Sequence, residues 1–180
     1  MRPNSSLEIS THNIPSHLRA KYWVSHVNRH IITLDCPDEL DTGIEASLVQ
    51  YDLGDIRFNH IKADAHGVQR SSANISSDGR GYAMMSLMLN GEGFACQGVQ
   101  GTQHMTGDIV IYNTLRPYTL AFPDDVEMMV INLPLDLLKH VFGGWDQKDL
   151  IKLDRQIDNG GYSTSSVFQI VQSYCQGHCS

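Results

Sequence analysis

Met105-Thr106-Gly107-Asp108-Ile109-Val110-Ile111-Tyr112-Asn113-Thr114-Leu115-Arg116-Pro117-Tyr118-Thr119-Leu120 is the stretch whose reading decides the fold. Gly107-Asp108 forms a turn that launches an apolar strand from Ile109. A polar loop follows at Asn113-Thr114, and Arg116-Pro117-Tyr118 opens the next strand, where proline's fixed φ is tolerated at a strand start. The two strands are expected to form one hairpin of a small β-barrel.

Residues 46–134 repeat this pattern of short strand and turn. Ser47-Leu48-Val49-Gln50-Tyr51-Asp52 alternates weakly, and Leu53-Gly54-Asp55 turns the chain into Ile56-Arg57-Phe58-Asn59-His60-Ile61. Residues 68–75 read as a strand closed by the Ser76-Ser77-Asp78-Gly79 turn. Residues 82–89 form another, and Asn90-Gly91 predicts a hairpin with Phe94-Ala95-Cys96-Gln97. Residues 126–133 form the last, stopped by Pro134. Closely spaced strands with no long helix between them favour a barrel or sandwich over a parallel sheet. Closure would also remove exposed sheet edges.

Helical signals flank this block. In residues 1–45, Leu18, Tyr22, Trp23, His26 and Val27 recur at helical spacing, with Ser16 as candidate N-cap. Tyr22 and Trp23 are expected to dock that helix onto the barrel, because large aromatics mostly serve burial. In residues 135–180, Leu135-Asp136-Leu137-Leu138-Lys139-His140-Val141-Phe142 predicts a short helix ended by Gly143-Gly144. A last helix follows Ser163-Thr164-Ser165-Ser166, its stripe of Val167, Ile170, Val171 and Tyr174 falling at i, i+3, i+4 and i+7.

The balance of charge narrows the function. With 180 residues and a formal net charge of −7, the chain has no basic face with which to grip a phosphate backbone. It contains no apolar run of about 18 residues, so no membrane helix is expected. The start lacks the apolar core of a signal peptide, which makes the cytoplasm the expected location and the four cysteines free thiols. A metal site would need converging imidazoles and carboxylates. His60, His66 and His104 lie in the strand region, but no His-x-His pair occurs, and His104 reads as part of an exposed turn. Cys175-Gln176-Gly177-His178-Cys179 has soft ligands but no second half. No Gly-x-Ser-x-Gly elbow or phosphate-binding loop is present. Neither a metal, another cofactor nor an enzymatic reaction is expected.

The Gly-Asp turn, strand and Arg-Pro step resemble those of cupins, whose enzymes usually carry a metal-binding His just after the proline; here Tyr118 stands in that place. Further motifs narrow the resemblance. Leu18-Arg19-Ala20-Lys21-Tyr22-Trp23, Val68-Gln69-Arg70-Ser71, residues 82–89 with Asn90-Gly91, Thr106-Gly107-Asp108, Arg116-Pro117-Tyr118 and Leu133-Pro134 occur in one order. Together they resemble the N-terminal effector domain of AraC/XylS-type transcriptional regulators, in particular the FeaR-like subgroup. The resemblance implies a mainly β, cupin-like jelly-roll barrel with flanking helices, binding a small-molecule effector and pairing into a homodimer through C-terminal helices. It also implies a further DNA-reading domain with two helix-turn-helix motifs, which these 180 residues do not contain. The expectation is therefore a sensor half that contacts DNA only through that missing domain.

Small-molecule pockets are mostly apolar with a few placed polar groups. Met84, Met88 and Phe94, with Met85, Met128 and Met129 beside them, are candidate lining. Gln97, Tyr112 and Tyr118 are candidate hydrogen-bonding groups, with Asn132 a lesser one. Arg57 and Arg70 are cations within apolar strands; an inward guanidinium would demand an anionic partner, an outward one would be solvated. Val167, Ile170, Val171 and Tyr174 are the candidate dimer seam. Two other readings remain: a stand-alone metal-dependent cupin enzyme, and a dimerisation module with a filled barrel.

Overall fold

The computed structural model describes residues 7–36, 43–141 and 150–155. Strand β1 (Leu7–Ser10) precedes helix α1 (Ser16–His30). Then come β2 (Ala46–Leu53), β3 (Ile56–Ala63), β4 (His66–Arg70), a short helix α2 (Ser72–Asp78), β5 (Ala83–Asn90) and β6 (Glu92–Gln97). The chain continues through β7 (Gln100–Met105), β8 (Ile109–Asn113), β9 (Tyr118–Phe122), β10 (Val126–Leu133), α3 (Leu135–Val141) and β11 (Leu150–Leu153). The strands form two sheets, one ordered β1-β2-β3-β10-β5-β8-β11 and the other β4-β9-β6-β7. Every pairing between named strands is antiparallel. The result is a mainly β, cupin-like jelly roll in which two sheets face each other. No ladder joins them into a closed cylinder among the described residues.

Two of the expected hairpins are corners instead. β5 pairs with β10 and β8, whereas β6 pairs with β7 and β9. Asn90-Gly91 therefore carries the chain from the large sheet to the small one. Gly91 has φ 93° there, and a Cβ would lie 2.6 Å from the Asp125 carbonyl oxygen, so only glycine fits. The stretch from Ile109 to Leu120 behaves likewise, with β8 in the large sheet and β9 in the small one. Turn chemistry marks where a chain reverses, but sheet membership depends on which distant strand accepts its hydrogen bonds.

Residues 68–75 are not one strand. β4 stops at Arg70, and Ser71 caps α2: its hydroxyl accepts from the Asn74 N–H at 3.3 Å, while Asn74 Oδ1 accepts from the Ser71 N–H at 2.7 Å. Gly79 closes the helix in the left-handed conformation. Helix α1 has Pro15, not Ser16, at its N-cap and no side-chain cap. His104 is not in an exposed turn but on β7, only 4% exposed. Leu150–Leu153 adds a strand within the expected polar connector, pairing with β8.

Apolar side chains fill two layers. The barrel interior holds Leu48, Met84, Met88, Val110, Met128 and Val130, roofed by Trp23, Ile31, Ile32 and Leu34. The outer face of the large sheet holds Leu87, Ile109, Ile111, Met129, Ile131 and Leu133, packed with Leu135 of α3 and with Ile151 and Leu153. Burial on both faces explains why β5, β8 and β10 read as nearly continuous apolar runs rather than alternating ones. No helix among the described residues is long and apolar enough to cross a membrane.

The Thr106-Gly107-Asp108 turn ties β11 to this frame. Asp108 accepts from the backbone N–H groups of Met105 and Arg155, both at 3.0 Å, and from Lys152 Nζ at 2.9 Å. Burial pushes its carboxyl up, but these hydrogen bonds outweigh burial and hold it below the usual carboxylate range. Beside it, His104 Nε2 donates to the Asp108 carbonyl at 3.1 Å.

Burial lowers the His104 pKa from 6.5 to about 4, against the opposing pull of that hydrogen bond. The folded state thus holds the neutral ring while the unfolded chain protonates below pH 6.5. Stability from this group is complete above pH 6.5 and is lost as pH falls toward 4, about 3 kcal/mol in all. Urea unfolding at pH 7.5 and at pH 4.5 is expected to show a smaller difference in His104→Gln than in the parent chain. An equal difference in both would refute this assignment.

Candidate functional site

Between the sheets lies an apolar cavity of about 70 Å³. The large sheet contributes Ile61, Met84, Tyr112, Met128 and Val130, and the small sheet His66, Val68, Tyr118, Leu120 and Phe122. The remaining wall comes from α1 and the segment after it: Trp23, Val27, Ile31, Ile32 and Leu34. Trp23 is 3% exposed, so the helix does dock on the barrel through this indole. Inward positions on β9 run Tyr118, Leu120, Phe122, the period of two expected of a strand with one face on a core.

The roof is pinned by a charge cluster. Arg70 is wholly buried, and Nε donates to the Thr114 carbonyl at 2.8 Å. Its Nη1 donates to the Thr33 carbonyl at 2.8 Å and Asp78 Oδ2 at 3.1 Å; its Nη2 donates to Asp78 Oδ1 at 2.8 Å and the Arg80 carbonyl at 3.1 Å. These five bonds match the five N–H groups of a guanidinium. Asp78 also accepts from the Thr33 N–H at 3.1 Å, and Arg80 Nη2 donates to the Asn28 carbonyl at 2.6 Å. An Asp35–Gln69 bridge, with bonds of 2.7 and 2.8 Å, fastens the same segment to β4. Burial pushes the Asp78 carboxyl up, yet the bonds from Arg70, Arg80 and Thr33 overcome it and hold the carboxyl far below its ordinary value.

The candidate residues read from sequence separate clearly. Met84, Tyr112 and Tyr118 line the cavity, and Met88 is buried in the same interior core. Gln97 is buried, but it staples the corner between β8 and β9: Nε2 donates to the Asn113 carbonyl at 2.7 Å, and Oε1 accepts from the Asn113 N–H at 3.0 Å. Arg70 does face inward, and the anion it demanded is Asp78 of the same chain. Two candidates are corrected outright. Arg57 sits at the surface beside Asp52 at 3.2 Å, and Phe94 is 48% exposed, because its place on β6 points away from the facing sheet. Met129 also faces outward, into the second core. Asn132 is buried and accepts from Asn59 Nδ2 at 3.0 Å. Val167, Ile170, Val171, Tyr174 and the Cys175–Cys179 cluster lie outside the described residues.

His66 and Phe122 complete the wall, their ring centroids 5.0 Å apart, although the sequence marks neither as ligand lining. His66 Nδ1 donates to the Asp64 carbonyl at 2.7 Å, and burial lowers its pKa, so the ring is neutral at pH 7. Among the described residues no three His, Cys, Asp or Glu side chains converge as a metal site. A larger groove of about 350 Å³ runs past His12, Glu45, Lys62, Asp64, Asp125 and Glu127. It is open to solvent and shares no residue with the cavity wall.

A known protein shares this fold. The AraC-like transcriptional activator CuxR superposes with a TM-score of 0.71 at 18% identity, over 96% of this chain and 60% of CuxR. A cupin superfamily protein from Desulfitobacterium hafniense gives a TM-score of 0.39 at 16% identity, over 51% of this chain and 77% of that one. In sequence, an uncharacterized protein in the nit 5' region of Bacillus sp. (strain OxB-1) is 25% identical over 130 residues, 72% of this chain. The chain spans about half the length of that curated relative, at 50%. The family model of the AraC-binding-like domain matches residues 23–178. This chain belongs to the AraC-binding-like domain family.

Proposed function

We propose that this chain is the effector-sensing and dimerisation part of a cytoplasmic AraC-family transcriptional regulator, reaching DNA through a further domain. The observation that carries the reading is the apolar interior cavity, roofed by a separate helical segment that polar contacts clamp in place. Binding in such a cavity changes what the roof touches, and a ligand shifts an equilibrium only through differential contacts of this kind. β8 supplies a route outward, since Tyr112 lines the cavity and is the register partner of Leu150 on β11. Thermal-shift screening of small neutral, acidic and basic compounds tests the reading, and stabilisation by at least one of them is the expected result. A broad library without a stabilising compound would favour the filled-barrel reading, which the cavity volume of about 70 Å³ supports. An enzymatic cupin would carry stoichiometric metal, so elemental analysis of protein purified without a metal-affinity tag separates that reading.

Dimerisation rests on the apolar stripe of Val167, Ile170, Val171 and Tyr174. Val171→Asp would place a charge in that seam and is expected to convert a dimer to monomers in sedimentation velocity. An unchanged dimer would refute the seam.

A further inference from the structure

The cavity wall carries polar atoms without partners. Tyr112 and Tyr118 are 3% and 4% exposed, and their rings tilt together at a centroid distance of 4.7 Å. Among the described residues neither hydroxyl makes a hydrogen bond, although both side chains line the cavity. Buried hydroxyls are almost always paired, so two adjacent exceptions on residues that line one cavity point to a partner that comes from outside the chain. Among the described residues the wall carries no charged side chain: its other polar side chains are the Trp23 indole and the neutral His66, and Arg70, whose charge reaches Tyr118, is paired with Asp78. An ionised ligand would find no unpaired counter-ion among the described residues, and burying an unpaired charge is strongly unfavourable. The rest of the wall is aliphatic, thioether or aromatic.

We propose that the effector is a compact, uncharged molecule with an apolar body and one hydrogen-bonding head held by the hydroxyls of Tyr112 and Tyr118. This rests on the sensor reading and adds the chemistry of its ligand. The volume of about 70 Å³ is about half that of an apolar cavity that admits benzene, so a small probe suits it.

The test uses three two-carbon probes, ethanol, acetate and ethylamine, at pH 7. The methyl NMR signals of Met84 and Met128, assigned through Met84→Leu and Met128→Leu, report occupancy. Ethanol is expected to shift both signals saturably, with the two ions at least about tenfold weaker. Tyr112→Phe and Tyr118→Phe are each expected to weaken ethanol about tenfold while leaving the melting temperature equal or higher, since each removes an unpaired buried hydroxyl. An ion that binds as tightly as the alcohol overturns the inference and leaves the sensor reading standing. Unchanged alcohol binding in both Phe variants overturns the role of the hydroxyls. Lowered melting temperatures in both, as a bridging water would cause, overturn it too. No shift with any probe overturns the inference together with the sensor reading.

Discussion

Asp78→Ala is expected to lose about 3–5 kcal/mol of folding stability, because it leaves the Arg70 guanidinium buried without its counter-ion. The Arg70 side chain has no exposure and that of Asp78 only 10%, so water cannot take the carboxylate's place. The same substitution removes the acceptor for the Thr33 N–H, which holds the roof segment. Urea unfolding measures the loss, and hydrogen exchange at Ile31, Ile32 and Thr33 is expected to speed up more than exchange in β5. Asp78→Asn keeps hydrogen-bonding atoms but not the charge, and its stability is expected to lie between the two. Because the folded Asp78 carboxyl is held below its ordinary range, its contribution persists above the unfolded carboxylate pKa and is lost only as pH falls below it. That window lies on the acid side of the one assigned to His104. A variant Asp78→Ala as stable as the parent would show that the pair does not hold the roof.

Trp23→Ala is the second large effect. Trp23 is 3% exposed and closes the cavity together with Val27, Ile31 and Phe122. Truncating a buried Trp costs about 3–5 kcal/mol, through lost transfer free energy and the void left behind. For a domain of this size the melting temperature is expected to fall by about 6–20 °C. The enlarged cavity is expected to accept bulkier neutral compounds than the parent chain, which calorimetric titration against a ladder of alcohols of increasing size would reveal. A small drop in melting temperature with an unchanged size limit would place Trp23 outside the functional wall.

Much of the fold was legible because its signals are local. Gly107-Asp108, Arg116-Pro117 and Asn90-Gly91 all lie at joints between consecutive strands, and Trp23 was legible as a docking residue from its helical spacing and large aromatic ring. The candidate site was legible in part, at Met84, Tyr112 and Tyr118, where an apolar strand offered a large or polar side chain. Phe94 and Arg57 misled because period-two alternation states that neighbours point oppositely, without stating which face is inside. His66 and Phe122 escaped because they meet only after β4 and β9 pair, with His66 in register with Phe122.

The sequence by itself determined the class: a mainly β, cupin-like jelly roll with helical flanks, written in short-range turns and strand periodicity. Tertiary structure alone decided that Asn90-Gly91 switches sheets, that Arg70 takes Asp78 as its anion, and that Tyr112 and Tyr118 come together at one cavity. Tyr112 and Tyr118 stand on strands of different sheets, and Asp78 reaches Arg70 only because α2 folds the chain back. Such contacts depend on how whole elements cross. A turn motif or a periodicity spans only a few residues and holds no record of that crossing.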